Sequence, residues 1–242
     1  MNNKILLITG ASSDMGIELI RRCYNNYDYI VAHYRKNKDQ LEQLINICND
    51  KLVLLQADFS NISDVNNLIK IIEERKIYPT DIVHFPAADY EILRFVKMDW
   101  EMFENEINIS LKSIILILKK FLPRMTKNKY GKLVIMLSSS TINIPPKYMT
   151  YYVTVKYALL GLIKALAAEY VESGIFINGV SPDMTKTKFL NNIPEIAIQR
   201  IEADSPNNRL LTVDDVIPTL EFLLSEGANC ISGQNICITR SR

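Results

Sequence analysis

The sequence has no excess of charge of either sign, with 28 Lys and Arg residues against 27 Asp and Glu residues and a formal net charge of +1. Nucleic acid and anionic membrane surfaces are bound by strongly basic faces, so this balance gives no electrostatic case for either. Long apolar runs are also lacking, and none of those present is predicted to span a bilayer. We therefore expect neither nucleic acid nor a membrane as a partner.

Cysteine and histidine are scarce, and their spacing is not that of metal ligands. The four cysteines form no Cys-x-x-Cys pair, and His33 and His84 have no acidic or Cys neighbour at ligand spacing, so no metal is predicted. Reduced thiols are typical of the cytosol. The N-terminus shows no basic segment followed by an apolar run and a cleavage site. A cytoplasmic location is therefore predicted.

Strands and helices alternate along the 242 residues, 48% of which are hydrophobic. A chain of this size can form one α/β domain with a full core, so we predict a single domain over residues 1–242. Apolar runs predict strands at 5–8, 29–34, 52–55, 81–85, 133–137, 175–180 and 235–239. Helices are predicted at 15–24, 38–49, 63–74 with Ser63 as the N-cap, 99–125, 152–173 and 212–225. The alternation predicts a doubly wound, Rossmann-type parallel sheet flanked by helices on both faces.

The residues that follow these strands are expected to meet at one edge of the sheet. Ligands of such sheets bind beyond the carboxyl ends of the strands, where the strand order reverses. The residues in this position are Gly10, Arg35, Asp58, Ala87, Ser139 and Pro182. Their convergence predicts one site.

Two short motifs lie at this predicted edge. Tyr152 and Lys156 are four residues apart and share one helix face, where the ammonium lowers the pKa of the phenol and makes it a usable proton donor and acceptor. Thr9-Gly10 followed by Gly16 forms a strand-to-helix turn on which a pyrophosphate can lie. Each motif alone is weak, but both in this order suggest hydride transfer.

With these motifs the chain resembles the classical short-chain dehydrogenase/reductase family from Ile5 to Ile238, and it is most similar to the 3-oxoacyl-carrier-protein reductase type. The motifs in family order are Thr9-Gly10…Gly16, Asp58, Tyr152…Lys156, Asn178-Gly179-Val180-Ser181-Pro182, Thr187 and Gly233-Gln234. The resemblance implies a nicotinamide dinucleotide held by Gly10, Ser12, Ser13, Met15, Gly16, Arg35, Asp58, Phe59, Ala87, Tyr152, Lys156, Pro182, Thr185 and Thr187.

The resemblance also implies catalytic roles for three residues. Tyr152 would be the general acid in reduction, and Lys156 would hold the nicotinamide ribose and lower the pKa of the Tyr. Ser139 lies thirteen residues before Tyr152, the usual family interval, and would hydrogen-bond the substrate carbonyl. Counting forward from Gly131 favours Ser138 instead.

The family's fourth catalytic residue is an Asn in the long helix, and this chain differs there. Spacing from both ends of the helix places Ser110 in that slot rather than Asn108, and positions two apart do not share a helix face. A hydroxyl both donates and accepts, so Ser110 could still hold a relay water.

Two loops also depart from the family pattern. Asp14 stands where Gly is usual, and we expect its carboxylate to turn away from the pyrophosphate and cap the helix N-terminus. Phe85-Pro86-Ala87-Ala88 replaces the usual Asn-Asn-Ala-Gly. Adenosine contacts there are largely backbone and steric, so binding is expected to survive.

The end of the second predicted strand decides between the two dinucleotides. An Asp there would accept from a free 2′-hydroxyl and select NAD, but the chain has Tyr34-Arg35-Lys36. Two cations and no acid suit a 2′-phosphate, which Arg can bind in bidentate fashion. NADP is predicted, with NAD less favoured.

The predicted function is NADP(H)-dependent reduction of a ketone to a secondary alcohol, and the substrate that the resemblance implies is a 3-oxoacyl thioester. A sugar or other small-molecule ketone of a biosynthetic pathway is the alternative substrate. A non-catalytic dinucleotide-binding scaffold is the alternative function. Residues 184–208 occupy the usual position of a substrate lid, where the apolar residues Phe189, Leu190, Ile193, Ile196 and Ile198 either line the substrate or pack in the core.

Apolar faces on two predicted helices exceed what one sheet face needs. They lie at 114–118 in the long helix and at 152–171. Members of the family usually pair through these two helices, so the resemblance implies a homodimer or homotetramer.

Overall fold

The computed structural model describes residues 3–89, 91–142, 144–193, 195–205 and 208–239. Seven parallel strands form one sheet in the order β3-β2-β1-β4-β5-β6-β7. The strands are β1 (Ile5–Thr9), β2 (Tyr29–Tyr34), β3 (Leu52–Gln56), β4 (Asp81–His84), β5 (Gly131–Met136), β6 (Ile175–Pro182) and β7 (Asn235–Ile238). The predicted doubly wound parallel sheet is confirmed, and its order reverses between β1 and β4.

Eight α-helices are found in the part of the chain that the structure describes. They are α1 (Asp14–Cys23), α2 (Asp39–Ile45), α3 (Ile62–Glu74), α4 (Trp100–Glu106), α5 (Ser113–Asn128), α6 (Thr150–Tyr170), α7 (Glu195–Asp204) and α8 (Val213–Leu224). The prediction of Ser63 as the α3 cap was wrong, because Asn61 is the N-cap and its side chain accepts from the Ser63 amide. Helix α2 ends at Ile45, earlier than predicted, and α7 was not predicted.

The helices cover both faces of the sheet because successive strand residues point to opposite sides. Leu7 packs in a core with residues of α3, α5 and α6. Its neighbours Leu6 and Ile8 pack in a second core with residues of α1, α2 and α8. All five residues of β1 are buried, as expected for a strand in the middle of a two-sided sheet.

The long helix predicted at 99–125 is interrupted. A π-helical segment, Ile107–Lys112, separates α4 from α5, and the Ser113 amide donates to the Asn108 carbonyl five residues back. Such wide turns are rare and frequent at functional sites. This segment packs against α6, so the interruption lies beside the helix that carries Tyr152 and Lys156.

Helix α6 belongs to an apolar helical segment, Thr150–Ser173, in a chain for which no membrane span was predicted. By length and composition, Thr150–Ser173 could cross a bilayer, with a mean hydropathy of 1.2 over its most apolar window. In this fold α6 packs against β6 and contributes Leu159 and Ile163 to the core. One face of this apolar helix is therefore used in packing against the sheet.

Hydrogen bonds bring together two of the family motifs, which lie far apart in sequence. The Asn178 side chain, on β6, donates to the Ile231 carbonyl at 2.8 Å and accepts from the Gln234 amide at 3.0 Å. Ser181 contacts both Thr141, after β5, and Asn235, on β7. These bonds hold β6 beside the segment that follows β5 and beside the beginning of β7.

Candidate active site

The turn after β1 is shaped by a glycine and a serine. Gly10 has φ +71°, and a Cβ there would lie 3.2 Å from the Cβ of Phe85. Ser13 is the N-cap of α1, accepting from the Gly16 amide at 3.1 Å and donating to the Gly10 carbonyl at 2.8 Å. The turn therefore presents backbone and a helix N-terminus at the carboxyl edge of the sheet, which suits an anion.

Gly16 brings α1 against this turn. A Cβ at this position would lie 2.5 Å from the Ala11 carbonyl oxygen, so only glycine fits. The predicted role of Gly10 and Gly16 as residues of one tight turn is thus matched by the backbone.

His33 hydrogen-bonds the turn after β1, and the sequence did not predict this contact. Its Nδ1 accepts from the Gly10 amide at 3.0 Å, so Nε2 carries the proton and donates to the Ala57 carbonyl at 3.0 Å. Burial lowers the pKa of His33 to about 4, which keeps the ring neutral. The ring stacks on Phe59 at 3.9 Å. Phe59, expected near the cofactor, therefore supports the turn through His33.

Asp14 does not cap α1, so that prediction was wrong. Ser13 occupies the capping position, and the Asp14 carboxylate instead accepts from the Lys188 amide at 2.8 Å. The Lys188 ammonium lies 3.8 Å from the same carboxylate. Asp14 therefore connects the turn after β1 to the 3-10 segment Lys188–Asn192, in the predicted lid.

Arg35 lies exposed at the end of β2, as predicted, but an acidic side chain lies close to it. Its guanidinium is 3.6 Å from the carboxylate of Asp89, which arrives from the loop after β4. Asp58 lies nearby. Burial opposes the ionisation of its carboxyl group. Hydrogen bonds from Ser60 and the charges of Arg35 and Lys36 outweigh burial, so the pKa of Asp58 is lowered. The exposed Arg35–Asp89 pair is weak enough for another anion to replace.

Tyr152 and Lys156 lie buried on one face of α6, with exposed fractions of 7% and 2%. The Lys156 ammonium is 5.4 Å from the centre of the Tyr152 ring and donates to the Met136 carbonyl, at the end of β5, at 2.9 Å. Burial lowers the pKa of Lys156 to about 8, against the opposing field of Glu106. The ammonium is therefore held at the carboxyl edge of the sheet, with the phenol beside it.

Ser110 points inward, whereas Asn108 does not. The Ser110 hydroxyl contacts the Glu106 carboxylate at 2.5 Å and the Pro86 carbonyl at 3.1 Å. The Asn108 side chain accepts from the exposed Lys112 ammonium. Of the two candidates, Ser110 is the residue that the π-helical segment directs to the interior.

His84 is a second buried histidine, at the end of β4. Its Nε2 donates to the Ser110 carbonyl at 2.8 Å, so Nδ1 accepts from the Thr9 hydroxyl at 2.7 Å. Burial lowers the pKa of His84 to about 3, so it is neutral. It joins β1, β4 and the π-helical segment.

Three serines follow β5, and the two candidates are both half-buried. Ser138 is extended, and its hydroxyl accepts from the Ser140 amide at 3.3 Å. Ser139 begins the short 3-10 segment Ser139–Thr141. Both hydroxyls lie at the carboxyl end of β5, so either can face the Tyr152 side.

The predicted lid supplies part of an apolar wall. Leu190 and Ile193 are buried against Tyr151 and Tyr152, and Ile198 packs at their edge. Phe189 lies with its ring 6.5 Å from that of Tyr152. Ile196 is 79% exposed and takes no part in the wall.

The other expected cofactor residues are distributed around the same edge. Ser12 and Ala87 are half-buried. The Met15 side chain packs in the hydrophobic core beside α1, so only the backbone of Met15 is available to a ligand. Pro182 ends β6. The Thr185 hydroxyl donates to the Asp183 carbonyl at 2.8 Å, and the Thr187 hydroxyl donates to the Thr185 carbonyl at 3.3 Å.

These residues fit a dinucleotide. The bare Gly10 turn and the α1 N-terminus suit a pyrophosphate, and the Asp14 carboxylate, which would repel one, is turned to Lys188. The buried Lys156 ammonium and Tyr152 phenol lie at the same edge of the sheet, at the carboxyl end of β5. The residues present therefore suit a dinucleotide bound at the carboxyl edge of the sheet, where the strand order reverses.

Sequence comparison identifies the class. The family described as enoyl-(acyl carrier protein) reductase matches residues 10–240, and the chain belongs to the short-chain dehydrogenase/reductase family of oxidoreductases. A 3-oxoacyl-[acyl-carrier-protein] reductase from Rickettsia felis is 26% identical over 98% of this chain and 95% of its own length. An uncharacterized oxidoreductase from Bacillus subtilis is 27% identical over 98% and 97%.

Solved structures share the fold. 4-Hydroxyisoleucine dehydrogenase in complex with NADH superposes with a TM-score of 0.89 at 24% identity, covering 99% of this chain and 98% of that one. ElxO with NADP bound gives a TM-score of 0.86 at 24% identity, covering 98% and 97%.

The Asp14 contact predicts a change in lid mobility. Asp14→Ala removes the acceptor of the Lys188 amide, and a hydrogen bond to a charged group contributes about 1.5–3 kcal/mol. We expect at least about tenfold faster hydrogen exchange in the lid around Lys188, measured by mass spectrometry. Asp14→Asn keeps an acceptor oxygen and should exchange more slowly than Asp14→Ala. Equal exchange in Asp14→Ala and the parent protein would contradict the contact.

Proposed function

We propose that this protein is an NADP(H)-dependent ketoreductase that reduces a ketone to a secondary alcohol. The observation that carries the proposal is the buried Tyr152–Lys156 pair on one face of α6, next to the carboxyl end of β5. A phenol beside a dehydrated ammonium suits the transfer of one proton at near-neutral pH, as the reduction of a carbonyl requires.

Each residue of the pair has a defined task in this proposal. The Tyr152 phenol donates its proton to the carbonyl oxygen as that oxygen gains negative charge. The Lys156 ammonium stabilises the phenolate that remains and binds the ribose hydroxyls of the dinucleotide. A serine hydroxyl after β5 donates a hydrogen bond to the same carbonyl oxygen, and we assign this task to Ser139 before Ser138. Ser110 replaces the family's Asn.

The dinucleotide supplies the hydride when it is bound. Its pyrophosphate would lie on the Gly10–Gly16 turn at the N-terminus of α1, and its adenosine along Asp58 and Ala87. We propose NADP rather than NAD because Arg35 and Lys36 follow β2 and can bind a 2′-phosphate. A phosphate with two negative charges can displace the exposed Asp89 carboxylate from Arg35.

The substrate that we propose is a 3-oxoacyl thioester. The chain is similar over 98% of its length to a protein named 3-oxoacyl-[acyl-carrier-protein] reductase. The half-exposed Phe189 ring, 6.5 Å from that of Tyr152, and the partly buried Ile198 offer an apolar surface to an acyl chain. We also propose a cytoplasmic location, in keeping with the cysteines, of which Cys23 and Cys48 are buried free thiols.

Tyr152→Phe tests the proposed reaction. Removal of the hydroxyl leaves the buried ring in place, so the fold should be retained while the proton donor is lost. We expect kcat for NADPH-dependent reduction of a 3-oxoacyl thioester to fall at least about a hundredfold, with little change in dinucleotide affinity. Retained turnover in this variant would refute the mechanism.

Ser138→Ala and Ser139→Ala belong in the same assay. The variant with the larger loss of kcat identifies the hydroxyl that binds the carbonyl. A larger loss in Ser138→Ala would overturn the assignment to Ser139.

Arg35→Ala tests the choice of dinucleotide. The loss of a bidentate, charge-assisted contact should weaken NADPH binding at least about tenfold and leave NADH binding unchanged. Fluorescence titration measures both. Lys70→Ala, which also removes an exposed ion-paired cation, is the matched control. Unchanged NADPH affinity in Arg35→Ala would show the cofactor assignment to be wrong.

We propose that copies of this chain pair through α5 and α6, as a homodimer or homotetramer. Ile114, Ile117 and Leu118 are used in the core, but Tyr157 and Val171 stay exposed and Gly161 has open space beside it. Light scattering should give a dimer or tetramer mass, and a monomer would contradict this.

A further inference from the structure

A carboxylate lies beside the turn on which the dinucleotide pyrophosphate is proposed to lie. Asp14 is the first residue of α1, directly after the N-cap Ser13, and its side chain is 23% exposed. A helix N-terminus favours a negative charge, but two negative charges at the same turn repel each other. A dinucleotide bound at this turn therefore calls for a cation that offsets Asp14.

A cation from the lid lies against Asp14. Lys188 approaches the carboxylate twice, because its backbone amide donates to Oδ2 at 2.8 Å and its ammonium lies 3.8 Å from Oδ1. The same ammonium donates to the Gln40 side chain, in the first turn of α2, at 3.0 Å. Lys188 is thus held between the N-terminal turns of α1 and α2.

The Lys188 ammonium can bind a further acceptor. Of its three protons, one is donated to Gln40, and the 3.8 Å to Asp14 is too long for a hydrogen bond. The Lys188 side chain is 66% exposed. The ammonium can therefore turn to a phosphate oxygen of a ligand at this edge of the sheet.

The backbone contact can hold the lid while the ammonium turns. The amide and the ammonium of Lys188 approach different oxygens of the Asp14 carboxylate. Movement of the side chain therefore does not require loss of the amide hydrogen bond. Removal of the charge and removal of the lid contact are thus separable by mutation.

We propose that Lys188 binds the dinucleotide pyrophosphate, with an ammonium that offsets the Asp14 carboxylate at the N-terminus of α1. The inference rests on the proposed function, to which it adds a binding residue from the lid. The pyrophosphate is common to NADP and NAD, whereas the 2′-phosphate assigned to Arg35 belongs to NADP alone. Lys188 should therefore contribute equally to the binding of both dinucleotides.

Three variants isolate the charge. Lys188→Met removes the ammonium but keeps a long side chain and the backbone amide that donates to Asp14. Lys186→Met is the matched control, because Lys186 is an exposed lysine of the same segment whose amide donates to the Leu211 carbonyl. Lys188→Arg keeps the charge.

Fluorescence titration of each purified variant with NADPH, and separately with NADH, gives the dissociation constants. We expect Lys188→Met to weaken the binding of both about tenfold, through the loss of one charge-assisted contact. Lys186→Met should change neither, and Lys188→Arg should keep most of the parent affinity. Unchanged binding of both dinucleotides in Lys188→Met would overturn the proposal, and so would a loss confined to NADPH.

A double variant separates charge compensation from anchoring of the lid. Lys188→Met leaves the Asp14 carboxylate beside the pyrophosphate without the ammonium that offset it. The addition of Asp14→Ala removes this repulsion and should improve dinucleotide binding at least about threefold over Lys188→Met alone. If Lys188 acted only as an anchor, loss of the second contact would weaken binding further, and that result would overturn the proposal.

Hydrogen exchange of the free protein gives a readout without dinucleotide. Because Lys188→Met keeps the amide contact to Asp14, its lid should exchange at the parent rate, measured by mass spectrometry. Exchange as fast as in Asp14→Ala would mean that the variant loosens the lid, and it would overturn the assignment of the charge to the pyrophosphate. If the parent protein binds neither dinucleotide, the proposed function and this inference fail together. If the parent binds and Lys188→Met binds equally well, only this inference fails.

Discussion

The structure depends on one costly constraint, the burial of the Lys156 ammonium at the carboxyl edge of the sheet. A cation removed from water needs acceptors and opposite charge, and the surrounding elements provide both. The Met136 carbonyl at the end of β5 accepts from it, and the charge of Glu106 opposes the fall that burial imposes on its pKa. Because Tyr152 lies one helical turn earlier on α6, the lysine also fixes the electrostatic surroundings of the phenol.

Two departures from the family pattern, the loop after β4 and Ser110, are neighbours in space. Pro86 and Ala88, from the altered loop after β4, provide the carbonyl and the amide that bind Ser110 and Glu106. His84 donates to the Ser110 carbonyl and accepts from Thr9, beside the turn after β1. These two changes, far apart along the chain, are thus joined by one buried network of hydrogen bonds.

The sheet, its parallel strands and most helix positions could be predicted because they follow from apolar periodicity and from turn residues at strand ends. The pairing of Tyr152 with Lys156 followed from helix geometry alone. The role of Asp14 could not be predicted, because its partner Lys188 is far away in sequence. The same holds for Asp89 beside Arg35 and for the π-helical segment Ile107–Lys112, which local pattern does not reveal.

The most direct test of the account follows the hydride itself. The protein is mixed with NADPH carrying deuterium at the transferable position and with a 3-oxoacyl thioester, and the product is analysed by mass spectrometry and NMR. We expect a 3-hydroxyacyl product with one deuterium on the carbinol carbon for each NADPH consumed. Tight NADPH binding without deuterium transfer to this or any other ketone would contradict it and would leave a dinucleotide-binding scaffold.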